Sequence, residues 1–423
     1  MNVLLLGAGA REHALAWRLE KSPLCKELFI APGNAGTREH GTNVAVDPND
    51  FEAVKKLVVE QNVRMVICGP EEPLVRGLRD FFSDDDELRS IYFIGPSREA
   101  ARLEGSKSYA KAFMEEYGIP TASYRRFTVD QKDEAVDYVS NLPTPIVLKA
   151  DGLAAGKGVL IVDDVKEAQQ EARAILEGKF GESGSKIVVE EFLDGIEFSV
   201  FVLTDGTSYR ILPTAKDYKR IGEGDTGPNT GGMGSVSHPP FVDADLMRKV
   251  EQQIIQPTLK GIEARKLDYR GFIFFGLIIV DGEPKLIEYN CRMGDPETQS
   301  VMLRLNNDLM QLMLETAEGE LGAAVVKIDD RQAATVVLVS GGYPGNYEKG
   351  KVITGLDQVR GSQVFHGGTL VADDGGIVTN GGRVLSITSY GETYEEALKT
   401  SYENAKVIAF DGMNYRSDIG FDL

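Results

Sequence analysis

A chain of 423 residues with 42% hydrophobic, 8% aromatic and 26% charged side chains has the composition of a soluble globular enzyme, with length for about two to four domains. Lys and Arg total 46 against 65 for Asp and Glu, a net charge of −19, so the surface repels nucleic acid and anionic membrane. Any phosphate-bearing partner must then be held by a local cationic pocket.

Cys25, Cys68 and Cys291 are widely spaced, with neither zinc spacing nor a disulfide framework, and fit a reducing compartment. With no leader pattern and no apolar run near membrane-spanning length, the expected location is cytoplasmic.

From residue 1 to about 100, short apolar strands (Val3–Leu6, Leu28–Ala31, Arg64–Cys68, Ile91–Ile94) alternate with helical runs such as Glu12–Leu19 and Phe51–Glu60. That alternation predicts a parallel sheet with helices on both faces, its ligands at the carboxyl ends of the strands. Those ends carry Gly7–His13, Pro32–Gly36 and Gly69–Pro73. The first loop fails the dinucleotide fingerprint because Glu12 stands where the third Gly belongs. Its backbone N–H groups, leading into a helix, can still hold a simple phosphate. His13 reads as a packing or capping residue.

A helix is expected from Ser106 to Tyr117, stopped by Gly118 and Pro120. Lys107 in its first turn is at the wrong end for a cation unless an anion sits there. Residues 124–195 read as a small α/β unit: strand Ile146–Lys149, a loop Asp151–Val159, helix Val165–Leu176, strand Lys186–Glu190. The loop has the wrong spacing for a Walker A motif and reads better as a Gly-rich hairpin that approaches phosphates and closes as a lid. The strand at 188–190 then runs into Glu191–Glu197. Unpaired backbone there can meet an adenine edge, and a carboxylate can take ribose hydroxyls.

Asp217–Arg220 precede the Gly- and Thr-rich run Asp225–Gly234, which reads as a ligand-approaching loop or a disordered linker. A long helix is expected at about Asp243–Arg265. The apolar run Phe272–Val280, the turn Asp281-Gly282 and the returning strand predict a hairpin. Glu288 and Asn290, two apart, share one face of that strand, and paired oxygen donors suit Mg²⁺. The bland alternative is an edge hairpin with a solvated end. Arg292 continues the face, and Gly294–Glu297 break the strand with two more acids. A helix at about Asn307–Glu318 follows. From about Gln332 the chain turns β-rich, with strands at Ala334–Val339, Val364–Leu370 and Arg383–Thr388, then a helix opening on the capping box Thr393/Glu396.

The motifs together resemble the glycinamide ribonucleotide synthetase family of ATP-grasp ligases. They are Gly-x-Gly-x-Arg-Glu-His-Ala at the start, Pro-Gly-Asn-Ala-Gly, Glu-Gly-Ser-Lys at 104–107, the run at 149–158, Glu-Glu-Phe-Leu-Asp-Gly at 190–195, the run at 225–234 and Gly-Asp-Pro-Glu-Thr-Gln at 294–299. The resemblance implies a multidomain α/β and α+β fold. Its parts are an N-terminal Rossmann-like parallel-sheet domain (1–103), an ATP-grasp domain (104–327) with a mobile lid at about 124–193, and a C-terminal β-rich α+β domain (328–423).

It further implies ATP as cosubstrate, held by Lys107, Lys149, Gly156, Lys157, Gly158, Glu190, Glu191, Phe192, Leu193 and Glu197, with Mg²⁺ or Mn²⁺ on Glu288 and Asn290. Gly9, Arg11, Gly33, Asn34, Asp217, Lys219, Arg220, Arg292, Gly294, Asp295 and Pro296 would bind glycine and phosphoribosylamine, with Arg292, Asp217 and Lys149 catalytic. The implied reaction runs through glycyl phosphate in de novo purine synthesis and needs no Ser, Cys or His nucleophile. Small molecules are the only partners expected, and the chain is expected to be a monomer. The sequence departs from the family at Met293, where Phe is usual, and at Ala10, where Gly is common. It also lacks an acid on Phe272–Val280 to serve as a third metal ligand, which leaves the number of ions open. Another ATP-grasp ligase or carboxylase, and a catalytically silent nucleotide sensor, are the alternatives.

Overall fold

Val3, Leu4, Leu5 and Leu6 are all fully buried, which a strand permits only when both faces are covered. The computed structural model describes residues 1–152, 158–181 and 186–423. It begins with β1 (Asn2–Gly7), α1 (Ala10–Leu19), β2 (Glu27–Pro32), β3 (Thr42–Asn43), α2 (Phe51–Glu60), β4 (Val63–Cys68), α3 (Glu71–Arg76), α4 (Leu78–Asp84), β5 (Tyr92–Ile94) and α5 (Arg98–Gly105). The strands form a parallel sheet in the order β3-β2-β1-β4-β5. The expected strands are present. The edge strand β3 was not legible because two polar residues carry no periodicity. Glu12 folds back over the first loop, accepting from Gly9 N–H at 2.7 Å. A Cβ on Gly7 would stand 2.5 Å from Glu12 Cδ, and one on Gly69 2.1 Å from its Oε1. The acid thus fills the space between loops that a dinucleotide pyrophosphate would need.

Next, α6 (Lys107–Glu116) starts at Ser106, whose hydroxyl accepts from Tyr109 N–H at 3.2 Å, and gives way to Gly118 at φ +66. Then come β6 (Tyr124–Thr128), α7 (Lys132–Ser140), β7 (Ile146–Ala150), β8 (Val159–Val162), α8 (Val165–Ala174) and β9 (Lys186–Glu191). These strands make an antiparallel sheet, β6-β9-β7-β8, over a core of its own that includes Phe127, Leu148, Ile175 and Val189. A unit with its own core can move as one body. β7 and β8 are the arms of the expected hairpin, with Ala150 N–H donating to Gly158 O at 2.8 Å. Gly156 and Lys157, expected at the phosphates, lie outside the described residues.

The body continues with β10 (Ile196–Thr204), β11 (Tyr209–Ile211), β12 (Lys216–Asp217), β13 (Arg220–Gly222), β14 (Thr226–Asn229), β15 (Gly234–Ser237), α9 (Ala244–Val250), α10 (Gln256–Ala264), β16 (Gly271–Val280), β17 (Glu283–Asn290), α11 (Glu297–Arg304) and α12 (Leu309–Glu318). Its sheet runs β11-β10-β16-β17. Asp281 and Gly282 turn the hairpin at φ +51 and +77, the left-handed pair that matches strand twist. The long helix is present, but a π segment at Glu251–Ile255 separates α9 from α10. Pro257, just beyond it, has no N–H for a regular helical bond. The Gly-rich run is ordered: β13 and β14 pair as a ribbon, and Thr230 N–H donates to Lys219 O at 2.8 Å. This sets the linker reading aside.

The last elements are β18 (Gln332–Val339), β19 (Ser362–His366), β20 (Thr369–Val371), β21 (Ile377–Thr379), β22 (Arg383–Gly391) and α13 (Tyr394–Ala405). Their main sheet has the order β12-β15-β18-β22-β19. It therefore takes two strands from the middle of the chain and is not confined to residues after 328. Among the described residues no helix is long and apolar enough to cross a membrane.

Candidate active site

The register of β16 against β17 slips by one residue: Leu277 faces Leu286, yet Gly276 faces Glu288. This bulge at Ile287 re-aims the end of the strand. Beyond it Glu288 and Asn290 share a face, and a Cβ on Gly276 would stand 3.2 Å from Glu288 Cγ. Asn290 is buried, and its Nδ2 has no hydrogen-bond partner among the described residues. A buried amide left unmet is expected to have a ligand nearby. Among the described residues no group of three or more His, Cys, Asp or Glu could hold a metal. Two protein oxygens plus substrate phosphates and water are nevertheless a fitting set for Mg²⁺.

Lys107 and Lys149 approach this face from α6 and β7. Lys107 Nζ donates to Gly152 O at 3.0 Å. Burial lowers its pKa, Glu288 pulls it back up, and Lys149 lowers it again. A half-buried, partly compensated ammonium of this kind favours an added anion. Lys149 is buried and donates to Glu190 Oε2 at 2.9 Å. Beside Glu190, Glu191 Oε1 accepts from Ser123 N–H at 2.8 Å. Phe192 is exposed, Leu193 half-buried, and Glu197 Oε2 pairs with Lys219 Nζ at 2.7 Å.

Lys219 also reaches Asp217 Oδ1 at 3.1 Å. Close by lies Glu297, buried at the start of α11 and accepting from Ser199 Oγ at 3.4 Å. Burial first, and then the Asp217 carboxylate, push the Glu297 carboxyl well above the usual carboxylate range. Gly294 makes room for it, since a Cβ there would stand 2.5 Å from Glu297 Oε2.

Arg292 is clamped: Nη2 lies 2.9 Å from Glu104 Oε1 and Nε 3.2 Å from Glu71 Oε2. Burial works against the guanidinium, but Glu104 and Glu71 more than offset it and raise its pKa. Arg11 makes the next link, with Nε 2.6 Å from Glu12 Oε1 and its backbone N–H donating to Asp295 Oδ2 at 3.3 Å. Arg383 from β22 lies 3.3 Å from Asp295 Oδ1. A cavity of about 130 Å³ opens here, lined by Ala8, Gly9, Ala10, Asp295, Gly367, Gly368 and Arg383 among others.

Some expected residues also serve the scaffold. Asn34 uses its whole amide within the protein: Nδ2 donates to Ala8 O at 2.9 Å and His366 O at 2.6 Å, while Oδ1 accepts from Gly36 and Thr37 N–H. Gly33, at φ +71, would place a Cβ 2.4 Å from Asn43 Oδ1. Arg220 Nη1 donates to Gly227 O at 2.7 Å, bracing the β13–β14 ribbon. Pro296 contributes its carbonyl to Ser235 Oγ at 2.9 Å. Met293 is buried in the core, where an apolar side chain suffices. His13 is buried too, accepting from His366 N–H at 2.7 Å.

Profiles of phosphoribosylglycinamide synthetase match the chain throughout: the N domain at residues 1–104, the ATP-grasp (A) domain at 105–298 and the C domain at 333–422. The phosphoribosylamine–glycine ligase of Vibrio vulnificus (strain YJ016) is 46% identical over 429 residues, covering 100% of this chain and 98% of that protein. The chain belongs to the phosphoribosylglycinamide synthetase family. The Escherichia coli (strain K12) phosphoribosylamine–glycine ligase is 45% identical over 427 residues, with the same coverage. The crystal structure of the Thermotoga maritima phosphoribosylamine–glycine ligase superposes with a TM-score of 0.85 at 37% identity, covering 99% of this chain and 100% of that one. A biotin carboxylase from Campylobacter jejuni, at 14% identity and TM-score 0.72, shares the fold alone. Family membership at this identity sets aside the other ATP-grasp ligases and carboxylases weighed from sequence.

Glu71, Glu104, Glu297 and Arg383 were not singled out as site residues in the sequence. Glu71 could have been, since it sits at the carboxyl end of β4 where ligands of such sheets bind. Glu104 and Glu297 lie inside the motifs at 104–107 and 294–299, which could have marked them, whereas Arg383 carries no local signal because it matters only through Asp295, far away in the chain.

Proposed function

We infer that this chain joins glycine to 5-phosphoribosylamine, cleaving ATP to ADP and orthophosphate, the reaction of de novo purine biosynthesis that yields glycinamide ribonucleotide. The observation that carries this reading is the nearness of Lys107 to both Lys149 and Glu288, with Asn290 two residues on along the same strand. It is supported by full-length likeness to ligases named for that reaction.

Lys107 and Lys149, with Lys157, take the phosphates of ATP, and Glu190 to Leu193 with Glu197 take the nucleoside. Glu288 and Asn290 hold Mg²⁺ or Mn²⁺, which neutralises phosphate charge when bound. Asp217 and Glu297 are two buried carboxylates that repel each other's charge. A cation between them relieves that repulsion, and the ammonium of glycine supplies it. The phosphoribosylamine lies along Gly9–Arg11 and Asp295, where the cavity opens toward Arg383.

A glycine carboxylate oxygen attacks the γ-phosphorus as the bond to the β–γ bridging oxygen breaks, releasing ADP. Lys107, Lys149 and Arg292 offset the charge that develops when anion meets anion. The glycyl phosphate formed hydrolyses readily, so the lid must exclude water. The amine of phosphoribosylamine then attacks the acyl carbon, a C–N bond replaces the C–O bond to phosphate, and the nitrogen loses a proton. A net charge of −19 supports action as a monomer, since like-charged copies repel.

With glycine labelled by oxygen-18 in its carboxyl group, one labelled oxygen is expected in the released phosphate. AMP with pyrophosphate, or unlabelled phosphate, would overturn the mechanism.

A further inference from the structure

Lys111, in the middle of α6, is 2% exposed and has no part in the chemistry above. Its ammonium lies between the two segments that join lid to body. On the first segment it donates to Thr121 Oγ1 at 2.7 Å, and Thr121 donates onward to the Leu286 carbonyl of β17 at 2.6 Å. Leu286 N–H donates back to Pro120 O at 2.8 Å, so this segment is laid along the strand that bears Glu288. On the second segment Lys111 Nζ lies 3.1 Å from Glu190 Oε2. That same oxygen accepts from Lys149 of the lid at 2.9 Å. Glu190 Oε1 is buried and has no hydrogen-bond partner among the described residues. One carboxylate oxygen is thus held twice while the other is left bare, a costly arrangement unless a ligand donor meets it.

We propose that Lys111 is a positioning residue for the nucleotide: tied to both lid–body segments, it keeps Glu190 Oε2 paired when Lys149 turns to phosphate. Glu190 Oε1 then stays aimed at an N–H or O–H donor of the nucleoside. The inference rests on the nucleotide-site reading above and adds a residue to it. Lys111 also makes that site sensitive to pH. Burial, opposed by Glu190 and aided by Lys149, lowers its pKa to about 8, while Glu191 pulls upward. The Tyr124 ring, its centroid 5.6 Å from the ammonium, and Glu115, bonded to the Tyr124 hydroxyl at 2.6 Å, complete its ionisable surroundings. As pH rises through that range the ammonium becomes a neutral amine, its bond to Glu190 loses its charge assistance, and nucleotide affinity falls.

The test is ATP affinity of the full chain at pH 7 and pH 9, measured by calorimetry beside tripolyphosphate, which engages the phosphate lysines but not Glu190. ATP binding should weaken by about tenfold more than tripolyphosphate binding, the scale of one charge-assisted hydrogen bond. Lys111→Arg, whose guanidinium stays charged at both values, should abolish that extra loss. Lys111→Met should bind ATP weakly at both, with tripolyphosphate affinity unchanged. Parallel losses for the two probes in the wild type, or an extra loss that persists in Lys111→Arg, would overturn the proposal. If ATP fails to bind at either pH, the nucleotide-site reading falls and this inference with it.

Discussion

Glu288 and Asn290 are on one face because strand side chains alternate, and beyond the bulge at Ile287 the Glu288 carboxylate acts on the charge of Lys107. Glu288 is only half-buried, so replacing it should touch chemistry more than packing. Glu288→Gln is expected to lower kcat by roughly a hundredfold with an unchanged melting temperature, as loss of a charged metal ligand does. A near-normal rate at saturating Mg²⁺ would remove Glu288 from the site. Lys149→Ala should cost about 2–4 kcal/mol of transition-state stabilisation, read as kcat/KM. Arg292 is a different case, because its aim depends on Glu104. Burial raises the Glu104 carboxyl although Arg292 pulls it down. Glu104→Gln keeps the shape but weakens the clamp, and kcat should fall by about tenfold, on the scale of one charge-assisted bond. An unaltered kcat would mean that Glu71 alone orients the guanidinium.

At its tip the β16–β17 hairpin needs left-handed backbone geometry, and Lys249 Nζ braces it by donating to Gly282 O at 2.9 Å. A Cβ on Gly282 would meet nothing within 4 Å, yet its φ is +77. Gly282→Ala should therefore destabilise by about 1 kcal/mol through strain, with no steric clash. The measurement is a lowered urea midpoint with unchanged kcat, since the tip lies at the far end of both strands from Glu288. A loss of activity as large as the loss of stability would show that tip and site are coupled. The hairpin was legible in sequence because Asp-Gly between apolar runs has few other uses. Its one-residue slip was not, for nothing in Leu286-Ile287-Glu288 marks which residue is left unpaired.

The N-terminal unit and the last sheet are joined by a buried histidine cluster. His13 Nδ1 accepts from His366 N–H at 2.7 Å, so its proton sits on Nε2, which faces His40 Nε2 at 3.1 Å. Burial lowers His13 far below its ordinary range and, with help from His40, lowers His366 to about 4. A histidine held neutral in the folded state takes up its proton first in the unfolded state. Its contribution is present above the unfolded pKa of about 6.5 and is lost as pH falls from there toward the folded value. Stability should drop by about 2 kcal/mol from His366 alone by pH 5, read from urea unfolding across pH 7.5 to 5. His366→Gln should flatten that dependence. An equally steep profile in the variant would place the acid sensitivity elsewhere.

The sequence by itself determined what is periodic or punctuated. The buried run Val3–Leu6, the Ser106 start of α6, the Asp281-Gly282 turn and the shared face of Glu288 and Asn290 each depend only on near neighbours. It also set limits through single residues, as Glu12 does by closing the first loop to a dinucleotide. Only the tertiary structure decided that β12 and β15 join the last sheet, that Asn34 is a staple, and that Glu71 and Glu104 clamp Arg292. The same holds for Lys111 between Thr121 and Glu190, ten and 79 positions away in the numbering. The reason is physical: a local pattern fixes which way a side chain points, whereas the charge and burial that give it a role come from segments the chain brings together only on folding.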